Sequence, residues 1–245
     1  MNRVMPLIAT EARLLVRDSS VFVFAFVFPP FVMLILAGVF GTQPSGGYGH
    51  RRPDDYYVAA SIGVPVIALA LVGLPVALAS YRERGVLRRL EAFGVSRTAV
   101  LGAQAAVTGG LVIIGAAVVL ALALPTYGIP HVVHPAATVA GLAAGTVTLV
   151  LLGIAVGLAA PSARAAQAIG LLAFFPLYLL GGGGPPRGVM TGPMHVVSDL
   201  LPSTVPAVVD PWLGLSGLGS QLAVLGAWAL VAFGATVWLV RRTPA

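Results

Sequence analysis

The sequence predicts an all-α membrane protein with six transmembrane helices, on three observations. Of 245 residues, 58% are hydrophobic and 9% charged, whereas a soluble domain carries about 25% charged residues. The apolar residues gather into six runs, 21–40, 57–80, 98–124, 136–160, 165–180 and 219–240, most of them near the roughly 20 residues that cross about 30 Å of hydrocarbon. The charges fall between these runs, and arginine crowds every second connection.

Composition also removes whole classes of chemistry. All 14 basic residues are Arg, and a nucleotide-binding P-loop needs a Lys to reach the terminal phosphates. Any energy from ATP is therefore captured on another chain. There is no Cys, which excludes disulfides, thiolate metal sites and cysteine nucleophiles. The net charge of +6 sits beside apolar runs, as in membrane proteins whose basic loops stay in the cytoplasm, so no nucleic-acid partner is expected.

Taken in chain order, residues 1–20 set Val4, Leu7, Ile8, Leu14 and Leu15 against Arg3, Arg13 and Arg17, the pattern of a helix lying in the membrane interface. Glu11 falls within the apolar arc, where a salt bridge to an Arg of the 82–89 cluster or snorkelling into the headgroups would relieve it. Asp18, Ser19 and Ser20 are candidate caps for the first span. That span runs to residue 40, too long for the apolar core of a cleaved signal peptide.

After the second span comes an arginine-rich connection, 82–97. On a helical wheel Val86, Leu90 and Phe93 share a stripe with Leu87 beside them, while Arg84, Arg88 and Glu91 take the other side. Two readings stand: a short amphipathic helix that docks on a partner, or a solvated basic loop that enforces orientation. The third span carries no charge from Ala99 to Leu124. The fourth holds Gly141-Leu-Ala-Ala-Gly145 and Gly153-Ile-Ala-Val-Gly157, small-residue spacings that allow close helix approach, read as packing within one subunit. The fifth is the shortest.

Glycine and proline from 181 to 188 then end the helix, since each is unfavourable in a helix interior by about 1 and about 3 kcal/mol. The segments 194–201 and 205–209 are apolar yet too short to cross. They read as short re-entrant or surface helices, or as a loop on lipid. The whole 181–218 connection is too short for a soluble domain, because chains below about 40 residues seldom fold alone. Counting Arg by connection gives eleven on one side and three on the other, which places both termini in the cytoplasm of a multi-pass plasma-membrane protein.

Together these features resemble the membrane subunits of ABC-2 type exporters, a family that includes drug and antibiotic permeases of the daunorubicin-resistance kind. The resemblance lies in the Arg17-Asp18 entry to a first span bearing Pro29-Pro30, in Arg82-Glu83-Arg84-Gly85-Val86-Leu87 through Leu90 to Val95-Ser96-Arg97, and in Pro193 through Leu200-Leu201-Pro202. Gly94 departs from it, since many members have Pro there, and Phe93 beside it is a second departure. The resemblance implies a type V exporter permease fold with a cytoplasmic coupling helix and two short re-entrant helices helping to close the exit. It implies docking of a separate ATP-binding subunit through Glu83, Arg84, Gly85, Val86, Leu87, Arg88, Leu90 and Phe93. It also implies two permease copies, as a homodimer or heterodimer, with two ATPase copies that hold the ATP and magnesium; this chain binds no cofactor and is not itself an enzyme.

The pathway reading follows from the residues. A proton-coupled carrier is expected to hold an Asp, Glu or His within the hydrocarbon zone, and none of the six runs has one at its middle. An apolar or amphipathic cargo suits such a lining. Aromatic surface comes from Phe22, Phe24, Phe26, Phe28 and Phe31 in the first span and from Phe174, Phe175 and Tyr178 in the fifth, though such rings also face lipid or fill gaps between helices. The resemblance puts the fifth span at the dimer interface.

Two other chemistries are weaker. Gly214-Leu-Ser-Gly217 looks like the nucleophile motif of a six-span intramembrane serine protease, but no His follows His195 to serve Ser216 as a base. His131 and His134 supply two possible metal ligands where zinc sites usually need three or four. A membrane assembly or scaffold role without ATP coupling is the alternative from another class.

Overall fold

The computed structural model describes residues 19–215 and 218–242. The expected interfacial helix, with Glu11 and Asp18, and the Ser216 candidate lie outside the described residues. Six helices are long and apolar enough to cross a membrane, and no β-strand forms among the described residues. The expected all-α class holds.

The first span, α1, runs through Val23–Phe40 and the second, α2, through Pro53–Glu83. A short helix α3, Val86–Ala92, precedes α4, Arg97–Tyr127, α5, Pro135–Ala159, and α6, Ala163–Leu180. Two further short helices, α7, Gly192–Leu200, and α8, Thr204–Leu213, lead to the last span, α9, Leu218–Arg242.

The second span starts four residues before the expected 57. Asp54 and Asp55 look like loop residues in a hydropathy scan, yet both lie in the first turn of α2 behind Pro53, where carboxylates meet the positive end of the helix dipole and Pro lacks only an N–H that would go unused. Arg52 donates through Nε to the Asp54 carboxylate at 3.1 Å, which allows Asp54 to be buried.

Helix α2 is the pillar of the bundle. Nearly all its residues are buried, and it touches α1, α4, α5, α6 and α8. Its middle, Leu69–Gly73, widens to i→i+5 hydrogen bonding, as α1 does over Val23–Val27. Both wide turns stand directly before prolines, Pro75 and Pro29-Pro30, whose missing N–H groups forbid the ordinary ladder there.

The glycine pairs of α5 all face this subunit. A Cβ on Gly141 would strike the Ala207 carbonyl, one on Gly145 the Thr204 side chain, one on Gly153 the Ala70 carbonyl, and one on Gly157 Pro75 and Leu78. The small-residue spacing thus serves packing within one chain.

The connection after α6 behaves in two ways. Helix α7 leaves Met194, Val196, Val197 and Leu200 exposed and is tied at its end to α9 by Trp228 Nε1, which donates to the Leu200 carbonyl at 2.8 Å. All ten residues of α8 are buried. It begins deep, with the Val205 backbone against Gly63 ten residues into α2, roughly 15 Å from that helix's start. It returns outward to Trp212, whose carbonyl accepts from Val133 N–H at 2.8 Å. This is a helix buried within the bundle rather than a loop on its surface.

Candidate functional site

The arginine-rich end of the bundle is built around α3. Gly85 and Gly94 bracket it with φ of 65° and 80°, left-handed values that glycine adopts without steric cost. At the far end Val95 N–H bonds to Leu90 O at 2.9 Å and Gly94 N–H to Glu91 O at 2.9 Å, the paired closure of a Schellman motif. Proline is held near φ −65°, so the proline expected from the family pattern cannot occupy position 94 in this geometry. Arg97 Nε donates to Glu91 Oε1 at 3.0 Å, pinning the rod to the start of α4.

The rod has two faces. Leu87 turns inward and is only 6% exposed, with Glu91 beside it and Arg88 at the edge of the same side. On the other side Arg89 and Phe93 are exposed, Phe93 to 75%, with Val86 and Leu90 half-buried beside them. Arg84 is exposed at the near end, its carbonyl accepting from Arg89 Nη2 at 3.0 Å.

Just before the rod, two adjacent side chains grip the turn between α5 and α6. Arg82 Nη1 donates to the carbonyls of Gly157 at 3.2 Å and Ala160 at 2.9 Å, the orphan acceptors at the C-terminus of α5. Glu83 Oε1 accepts from Ala163 N–H at 3.1 Å, an orphan donor at the N-terminus of α6, where Ser162 Oγ also accepts from Ala165 N–H at 3.0 Å. Each charge sits at the helix end whose dipole it complements. The sequence shows both residues but not this clasp, which joins positions about 80 apart.

Beneath the rod a cleft of about 430 Å³ opens, lined by Arg82, Glu83, Arg88, Arg97, Leu158 and Ala160 among others.

The aromatic trio of α6 divides. Phe174 and Tyr178 are buried and stack at 6.0 Å. Phe174 meets Phe24 and Phe28 edge-on at 5.3 and 5.9 Å, and Tyr178 meets Phe28 at 5.5 Å. These rings lock α6 to α1. Phe175 is about half exposed and reaches the bundle's surface.

At the opposite end Tyr56 Oη donates to Gly182 O at 2.9 Å and Tyr57 Oη to Gly184 O at 3.1 Å, so the glycine run is tied to the top of α2. Arg187 pairs with Asp199 of α7 and lies 3.6 Å from Asp210 of α8. Sequence reasoning passed over this cluster. The signal was available: a lone carboxylate in an apolar ten-residue stretch needs a cation when buried, and Arg187 is the single cation between Arg164 and Arg241. His131 and His134 join no metal-holding group among the described residues.

Six helices long and apolar enough to cross a membrane, with a short buried helix at one end and a glycine-bracketed arginine rod at the other, mark a multi-pass helical membrane protein. The model of the ABC-2 type transporter family matches residues 3–207, most of the chain, and the chain belongs to that family. No curated protein and no solved structure matches it.

Proposed function

We propose that this ABC-2 permease subunit is one half of an exporter driven by ATP that a separate subunit hydrolyses. The observation that carries the reading is the exposed Phe93 on a rod whose both ends are fixed. A large apolar ring with cations around it, on a helix too short to hold itself, suits a partner offering an apolar pocket with an acidic rim. Of the residues the family resemblance implies for docking, Phe93 is exposed beside Arg89, Val86 and Leu90 lie half-buried on the same side, and Arg84 borders it. Gly85 supplies the turn, Leu87 anchors the rod, Glu83 caps α6, and Arg88 faces the cleft.

Two such permeases with two ATPase copies would place ATP and magnesium entirely on the partners. The arginine-rich end lies in the cytoplasm by charge bias, with both termini there and the chain in the cell membrane. Closure of the ATPases would move the rod, and the Arg82–Glu83 clasp beside it would carry the displacement to α5 and α6 as a rigid-body shift. A hydrophobic or amphipathic cargo, of drug, antibiotic or lipid-like class, would then pass along the apolar surface to which α6 contributes Phe175.

Co-purification of the permease with its ATPase, repeated with the Phe93 variant argued in the Discussion, tests the docking. The clasp makes its own prediction. Arg82→Ala with Glu83→Ala removes two helix caps, each worth about 1 kcal/mol. The Tm of the purified permease is expected to fall by several degrees, with association to the ATPase held and ATP-dependent export reduced at least about fivefold. Full export by the double variant would remove the clasp from the transmission route.

A further inference from the structure

We infer that the cleft beneath the rod binds the headgroup of an anionic phospholipid from the leaflet at the arginine-rich end. The inference does not depend on the ATPase, since every residue it uses belongs to this chain.

Its charge balance is the first argument. Arg97 is neutralised by Glu91 at 3.0 Å. Arg82 donates to the uncharged carbonyls of Gly157 and Ala160, which orient the guanidinium without cancelling its charge. Arg88 forms no ion pair among the described residues. Against these two cations the lining offers one carboxylate, Glu83, which is bonded to the Ala163 N–H. The surplus is one positive charge, the complement of a single phosphodiester.

Depth is the second argument. Helix α2 has 31 residues and so rises about 46 Å, matching the roughly 40–45 Å of a bilayer that includes its headgroups. Arg82 in its last turn therefore sits at headgroup level. The walls are mixed in the same sense: Ala79, Leu158 and Ala160 are apolar beside the arginines. A soluble anion has no use for that apolar wall, while a phospholipid sets its glycerol and upper acyl carbons against it. A zwitterionic headgroup would bring its ammonium into the same cationic cleft, beside Arg82 and Arg88, which disfavours it. Arginine near an anionic leaflet gains about 1 kcal/mol from the lipid charge, and a cleft with apolar backing converts that diffuse attraction into a site.

The test is native mass spectrometry of the full-length permease released from vesicles of phosphatidylglycerol and phosphatidylcholine in equal amounts. Phosphatidylglycerol is expected to be retained in preference, and Arg88→Gln to weaken its retention about fivefold. Arg84→Gln, with the same change of charge one turn away and outside the cleft lining, is expected to stay within about twofold. Equal losses in the two variants would show only a general cationic surface and overturn the site. No preference over phosphatidylcholine would overturn it as well. Release of the retained lipid by excess inorganic phosphate would identify a free anion as the occupant and overturn the lipid assignment. Arg88 is exposed and forms no ion pair among the described residues, so its variant keeps the fold.

Discussion

Phe93→Asp is expected to cut association of the ATPase subunit more than about thirtyfold while the permease stays folded. Phe93 is 75% exposed and follows a helix closed by Val95 N–H on Leu90 O and Gly94 N–H on Glu91 O, bonds that do not involve its side chain. Its replacement therefore costs the isolated chain little. In a docked complex the ring would be buried, and a fully buried Phe contributes about 1.5–3 kcal/mol; central aromatic anchors reach about 2 kcal/mol or more on truncation. Aspartate also places a negative charge opposite a surface that must complement Arg84 and Arg89, where like charges cost further affinity. Phe93→Leu keeps most of the apolar area and is expected to retain association within about tenfold. Leu87→Asp is not an equivalent probe, because Leu87 is buried in this chain and its loss would disturb the rod itself. Pull-down of the ATPase, with size-exclusion profiles of each permease variant, checks both expectations, and undiminished association of Phe93→Asp would remove the docking face.

Much of this architecture is legible in the sequence, and the illegible parts share a cause. Six crossings follow from apolar run length alone, and each run lies within a helix to a few residues. The rod between Gly85 and Gly94 follows from wheel spacing, because a helix of seven residues bracketed by glycines is a local event. What the wheel leaves open is which apolar residue turns inward. Leu87 does so because α3 lies against the ends of α2 and α4, a fact of tertiary approach. The same holds for the buried α8. A mostly apolar stretch of ten residues reads alike whether it rests on lipid or enters the bundle, and only the glycines at 63, 141 and 145, whose missing side chains make room for Val205, Ala207 and Thr204, decide it. Phe174 and Tyr178 were legible as aromatic surface but not as an α1–α6 lock, since their partners Phe24 and Phe28 lie about 150 residues away.

The second large effect is expected at Gly153 and Gly170. A Cβ on Gly153 would land on the Ala70 carbonyl, and one on Gly170 on the Leu71 carbonyl, both inside the wide turn Leu69–Gly73 of α2. These two oxygens are special in their own helix. Pro75 lies five residues beyond Ala70 and four beyond Leu71 and has no N–H, so each oxygen loses one of its two possible helix donors. For Ala70 the other, Leu74 N–H, is bonded to Leu69 O, while Leu71 keeps Val76 N–H within i→i+5 reach. In hydrocarbon a carbonyl short of a donor is costly. The glycines of α5 and α6 bring their Cα hydrogens against these oxygens from two sides, the close contact that Cα–H···O interactions describe. A methyl group at either position must displace backbone rather than a pliable side chain. Gly153→Ala and Gly170→Ala are each expected to cost about 1–3 kcal/mol, and Gly153→Val more than about 3 kcal/mol, enough to abolish a monodisperse species on fluorescence size exclusion. Gly110 and Gly226 meet nothing within 4 Å of an added Cβ; Gly110→Ala and Gly226→Ala should be neutral or stabilise by up to about 1 kcal/mol, as alanine does in a helix. The contrast is between positions of identical residue type and similar hydropathy, so it isolates backbone approach from membrane insertion. If Gly153→Ala and Gly110→Ala proved equally stable, α5 would not be seated on the proline-broken turn of α2 through the close approach of Gly153 to the Ala70 carbonyl.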